Sequence, residues 1–181
     1  ESMNRLMVFF HKFGSPPWFY RVSGRLVPWL WAAFLLLAAV GLYLGLLKAP
    51  PDYLQGEAAR IMYIHVPAAW MSMLIYALMA GLGFAGLVWH VRIAEILAIS
   101  SAPVGAFFTA IALISGSLWG RPTWGTYWVW DARLTSEPVL LFLYLGVIGL
   151  HSAFEEPRKA ARAAALLSLV GVVNLPIIHF S

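Results

Sequence analysis

The sequence predicts an all-α, polytopic helical membrane protein, and three observations predict it. Of the 181 residues, 61% are hydrophobic and only 11% charged, against roughly 45–50% and about 25% in a soluble domain. Five apolar runs lie near the ~20 residues a helix needs to cross a bilayer core. The intervals between them carry most of the charged residues and several of the prolines. The length fits a single membrane domain, residues 1–181.

Residues 1–25 carry Arg5, Lys12, Arg21 and Arg25, with a break at Pro16-Pro17. They read as a cytoplasmic or interfacial segment that lies flat through Trp18, Phe19 and Tyr20. They lack the short apolar core and small-residue cleavage site of a signal peptide. Glu1-Ser2, ahead of Met3, reads as an addition to the native start. The first span, 26–47, has no charge and stops where Pro50-Pro51 forbids further helix. A polar loop with Asp52, Gln55, Glu57 and Arg60 leads to His65, its second half short-helical. The second span, 66–89, takes Pro67 as a first-turn proline, which sets His65 at its mouth. His90, Arg92 and Glu95 form a tight turn. The third span, 96–118, bends at Pro103, whose freed carbonyl a neighbouring helix can satisfy.

Residues 119–136 form a loop with four of the nine Trp: Trp119, Trp124, Trp128 and Trp130. Ser136-Glu137-Pro138 reads as a helix start, a capping Ser followed by an acid and a Pro, and opens the fourth span, 137–154. A charged turn of Glu155, Glu156, Arg158, Lys159 and Arg162 precedes the fifth span, 163–178, whose end Asn174 and Pro176 disrupt ahead of His179.

Five spans place the two ends of the chain on opposite sides. Eight of the twelve Lys and Arg fall on the side of the N-terminal segment, which makes that side cytoplasmic. The Trp-rich loop, His65 and His179 then share the outer face. Charges are nearly absent from the span interiors, which argues against a proton pump, an ion transporter or a solute permease with a polar pathway. The absence of Cys excludes disulfides, thiolate metal sites and a CxxCH haem attachment within the chain. No phosphate loop or HExxH motif is present, and nothing reads as a catalytic site, so the chain is expected not to be an enzyme.

The aromatic loop carries the functional reading. If part of it is helical, Trp124, Tyr127, Trp128 and Asp131 share one face, a stacking surface with an acid at one end. The plain alternative is an interfacial aromatic belt, but a belt does not call for a Gly-punctuated run with Trp119 and Trp130 beside it. A flat, apolar, anionic ligand suits such a platform, and haem is the leading candidate. Imidazoles commonly hold haem iron, so His65 and His179 are the candidate axial ligands. Either alone could be a polar residue at a helix end. Arg60, Arg121 and Arg133 are the outer cations available to propionates; ion pairing of Arg133 with Asp131 or Glu137, and lipid phosphate for Arg121, compete with that role. His90 and His151 form a rival pair near the inner end, of the kind a b-type electron-transfer cytochrome subunit would use, although His151 also suits a bond to a neighbouring helix.

Trp119-Gly-Arg-Pro-Thr-Trp-Gly-Thr-Tyr-Trp-Val-Trp-Asp-Ala-Arg-Leu-Thr-Ser-Glu137 resembles the tryptophan-rich WWD signature of the cytochrome c maturation haem-handling proteins, and more narrowly that of the CcmC family of bacterial system I. Tyr63-Ile-His65-Val-Pro-Ala-Ala-Trp70 and Gly171-Val-Val-Asn-Leu-Pro-Ile-Ile-His179 are similar to the same family. The resemblance spans nearly the whole chain. It implies haem b held on the periplasmic face of the bacterial inner membrane, between the Trp-rich loop and two histidines that map onto His65 and His179. It implies hand-over to the haem chaperone CcmE, in an ABC-type complex with the ATPase CcmA, CcmB and CcmD, where ATP hydrolysis in CcmA drives release of the loaded chaperone. It also implies a sixth span beyond Ser181.

Overall fold

The computed structural model describes residues 2–181; Glu1, and with it part of the expected N-terminal addition, lies outside the described residues. Five helical stretches have the length and hydropathy to cross a membrane: Pro16–Lys48, Glu57–Trp89, Arg92–Trp124, Ala132–Ser152 and Pro157–Phe180. The elements are α1 (Ser2–Phe13), α2 (Pro16–Tyr43), a π-type turn (Leu44–Lys48), a 3₁₀ turn (Glu57–Ile61), α3 (Met62–Trp89), α4 (Arg92–Trp124), α5 (Ala132–Ser152), α6 (Pro157–Gly171) and α7 (Asn174–Phe180). The expected all-α membrane fold is the observed one.

Small residues let the helices approach. In a membrane the apolar tails offer no hydrophobic drive for helix pairing, so close backbone packing and interhelical hydrogen bonds must hold the bundle. Helix α6 meets that need with Ala160, Ala161, Ala164, Ala165, Ser168 and Gly171, all buried, against α3 and α5. A Cβ on Gly171 would sit 2.0 Å from the Tyr76 hydroxyl, and one on Gly105 of α4 would sit 2.2 Å from the Tyr144 ring. The two tyrosines meet edge to face, with centroids 5.2 Å apart. Each hydroxyl crosses to another helix: Tyr76 donates to Ser168 O at 2.9 Å and Tyr144 to Ser72 O at 2.6 Å. Both rings are fully buried. Two tyrosines therefore tie α3, α5 and α6 together, each bond contributing about 1 kcal/mol.

The first span stands apart. Helix α2 buries no residue, and its junction with the bundle is local: the close approach of Gly45 to Tyr63 and the bond from Arg60 to Gly45 O at 3.3 Å. It also begins earlier than the charge pattern suggests. Pro16 and Pro17 occupy its first turn, where a missing N–H costs nothing, so residues 16–25 extend the span's own helix. Helix α1 precedes that helix, and its Phe13 packs on Trp18 across the Gly14-Ser15 break (4.5 Å between centroids).

Other boundaries also differ from expectation, α6 among them, which begins at Pro157 and takes Arg158, Lys159 and Arg162 into the helix. Helix α3 starts at Met62, which places His65 at the end of the first turn and Pro67 in the second. Helix α4 runs on to Trp124 and stops at Gly125, in the left-handed conformation at φ 77°. Residues 125–131 are not helical, so Trp124, Tyr127, Trp128 and Asp131 do not form a helical face. Helix α5 starts at Ala132, and its cap is Asp131, whose carboxylate accepts from Leu134 N at 2.7 Å. Ser136 is already helical and donates to Arg133 O. The break ahead of His179 falls at Val172-Val173, and Asn174 uses its amide to reach Ser136 O of α5 at 2.9 Å.

Candidate functional site

At the end of the bundle that carries the Trp-rich loop, a cavity of about 530 Å³ opens between α3, the end of α4, the start of α5, and α7. That is within the range of small-molecule and cofactor sites. His65, His179, Trp119, Trp124, Trp128 and Arg133 all line it. Residues far apart in sequence are thus brought to one space, because α7 folds back onto α5 through Asn174 and α4 delivers its last turn beside the first turn of α3.

Each histidine is held differently. The His65 ring lies against α4, with Nδ1 3.0 Å from Ser115 Oγ and its edge toward Trp119 at 5.9 Å. A Cβ on Gly116 would come within 2.8 Å of its Cε1, so the ring fits only because position 116 has no side chain. His179 stands on the exposed side of the short α7. Its ring packs edge-on against Trp70 at 5.7 Å and Phe180 at 4.8 Å.

The aromatic residues fall into two groups. Trp119 is pinned by its indole N–H, which donates to Gln55 Oε1 at 2.8 Å. Gln55 is presented by a tight turn in which Asp52 accepts from Leu54 N and Gln55 N and Gly56 adopts φ 60°. Trp128 lines the cavity, and its Nε1 is buried without a hydrogen-bond partner among the described residues. A buried donor left without an acceptor costs about 1–3 kcal/mol. Tyr127 and Trp130 do not line the cavity. Trp130 packs against Trp128 at 5.4 Å and is 76% exposed, whereas Tyr127 lies under the Arg121 guanidinium at 5.5 Å.

The charged candidates separate as sharply. Arg133 borders the cavity and makes no ion pair among the described residues, with Asp131 and Glu137 engaged elsewhere. Arg121 donates to Gly125 O at 2.6 Å and closes the end of α4. Arg60 pairs with Glu57 and lies outside the lining. Asp131 serves as the helix cap. The unpaired guanidinium of Arg133 suits an anionic ligand, the aromatic walls suit a flat apolar one, and two imidazoles suit a metal centre. This donor set fits a metalloporphyrin.

Sequence reasoning missed four participants. Trp70 lines the cavity and packs on His179; it closes the Tyr63–Trp70 motif, but its partner comes from 109 positions further along and no local pattern links the two. Ser115 and Gly116 seat His65, and small residues in an apolar run carry no signal by themselves. Glu137 lines the cavity, with its Oε1 3.0 Å from Ser72 Oγ. The signal there was an acid within an apolar span, which marks a functional position by default; read as a first-turn residue it was hidden.

At the opposite end a second cavity, about 420 Å³, is bordered by His90, His151, Glu95 and the basic residues Arg92, Arg158, Lys159 and Arg162. The rival histidine pair therefore also shares one space.

Comparisons with known proteins agree with one another. The chain is 56% identical over 171 residues to heme exporter protein C of Escherichia coli K12, covering 94% of this chain and 70% of that protein. It is 52% identical over 167 residues to heme exporter protein C of Bradyrhizobium diazoefficiens, covering 92% and 63%. A ccmC-like mitochondrial protein of cytochrome c biosynthesis from Marchantia polymorpha is 42% identical over 162 residues, covering 90% and 67%. The family model described as CcmC, heme exporter protein C, matches residues 9–181, and the chain belongs to that family.

Proposed function

We propose that this chain binds haem b at the periplasmic face of the bacterial inner membrane and presents it to the haem chaperone CcmE during cytochrome c biogenesis. In this reading it works within an ABC-type complex with CcmB, CcmD and the ATPase CcmA, which drives release of the loaded chaperone. The chain itself is a haem-handling subunit and not the ATPase. One observation carries the proposal: two histidines far apart in the sequence border a single Trp-walled cavity that also holds an unpaired Arg.

The chemistry follows from those groups. Trp119, Trp124 and Trp128 bury porphyrin surface at roughly 25 cal/mol per Å². His65 and His179 would ligate the iron, and Arg133 would meet a propionate. Asp131 fixes the loop at the start of α5. Arg60, Arg121, Tyr127 and Trp130 serve the rim, where the chaperone docks. Delivery requires a site that lets go, and His179, on a seven-residue helix past a break, is the ligand placed to yield first.

His65→Ala and His179→Ala each lower haem retention and chaperone loading, read from the absorption spectrum of purified protein with and without CcmE. Unchanged spectra in both variants overturn the ligand assignment. A second reading, a b-type electron-transfer subunit, is favoured by the shared cavity of His90 and His151. Haem that survives both outer substitutions and is lost on His151→Ala would decide for it.

A further inference from the structure

Ser115 has a place in this site that its residue type alone would not suggest. Its hydroxyl carries one proton, and Oγ lies 2.7 Å from Ile111 O, the carbonyl one turn back, and 3.3 Å from Ala112 O. The same Oγ lies 3.0 Å from His65 Nδ1. A hydroxyl has one donor and two acceptor lone pairs. With its proton given to the Ile111 carbonyl, Oγ can only accept from the ring.

We propose that Ser115 is a positioning residue for His65: it holds the imidazole as the Nδ1–H tautomer and leaves the Nε2 lone pair for iron. The inference deepens the proposed function and rests on its assignment of His65. Iron-ligating histidines ordinarily donate their second ring nitrogen to a fixed acceptor, which sets both tautomer and orientation. The neighbouring residue completes the seat. Gly116 leaves the ring room to lie against α4, and Trp119 closes its far edge. His179 has no such acceptor among the described residues, so the two ligands are unequal before any haem arrives.

The test uses the whole chain in lipid nanodiscs with ¹⁵N-labelled histidine. In the haem-free protein, the ring-nitrogen shifts of His65 report a single Nδ1–H tautomer. Ser115→Ala converts it to a mixture, and Ser115→Thr restores it. In the haem-loaded protein, transfer of haem to an apoglobin acceptor quickens about tenfold in Ser115→Ala, at the lower end of what losing an outer-shell partner does to a metal site, and returns to normal in Ser115→Thr. A tautomer unchanged by Ser115→Ala overturns the proposal. So does a changed tautomer with unchanged transfer, provided His65→Ala abolishes retention in the same assay. If His65→Ala itself leaves retention intact, the failure belongs to the ligand assignment, and the haem-free spectra still report on the hydrogen bond.

Discussion

Replacing Asp131 by Ala removes the acceptor for Leu134 N–H and costs about 1 kcal/mol at the start of α5. Asn caps as well as Asp, so Asp131→Asn separates cap from charge. Hydrogen exchange at Leu134 should quicken in the Ala variant and stay slow in the Asn variant, and chaperone loading should follow the cap. An Asn variant that loads as poorly as Ala would show that the carboxylate acts on a partner directly. Arg133 predicts a different signature. Arg133→Gln should weaken haem retention while leaving the axial-ligand spectrum unchanged, because it removes a propionate contact and no iron ligand. At this scale the sequence was legible where chemistry shows in the residue type: His65, His179, Trp119, Trp124, Trp128 and Arg133 line one cavity, although Trp130 does not. It was not legible where the role depends on a partner. Arg60 pairs with Glu57 and Arg121 with a carbonyl, and neither fact has a signature at a distance.

Helix ends were the least legible elements. Ser136-Glu137-Pro138 satisfies the pattern for a helix start, yet Asp131 satisfies it too, and only the geometry of the Leu134 N–H decides between them. The five spans themselves were plain, since a run of about twenty apolar residues has few other uses. Packing between spans was hidden, because it depends on glycines that meet particular side chains. Gly171→Ala forces a Cβ to 2.0 Å from the Tyr76 hydroxyl, an overpacking expected to cost about 1–3 kcal/mol. Tyr76→Phe removes the obstructing oxygen. The double variant should therefore be less destabilised than the two single effects added, measured by thermal unfolding in detergent. Asn174 joins α7 to the start of α5. Asn174→Ala should loosen α7 and reduce haem retention, by less than His179→Ala does, since the imidazole is still present.

The 181 residues lack cysteine, so labels placed at chosen positions report their orientation directly. Single cysteines at Thr123 and at Ser152 should be labelled by a membrane-impermeant maleimide from opposite faces, with Thr123 on the periplasmic side. Labelling of both from one face would refute the orientation read from the Lys and Arg distribution. Acidification offers a second test. Iron takes neutral imidazole, and protons compete for the same lone pair, so haem retention should fall as pH drops through the range in which histidines protonate. Retention indifferent to pH would mean that the aromatic walls alone do the holding. The charge count and the span count were enough to bring the Trp-rich loop and both histidines to one end. They could not reveal that the opposite end holds a cavity of its own.

His65 is seated on a long helix by a hydroxyl and a missing side chain, while His179 rides on two turns of helix beyond a break, edged only by rings. A flat ligand gripped by both rings would be held unevenly, firmly at His65 and loosely at His179, so a recipient would take it from the flank of Trp70 and Phe180 and not over Trp119.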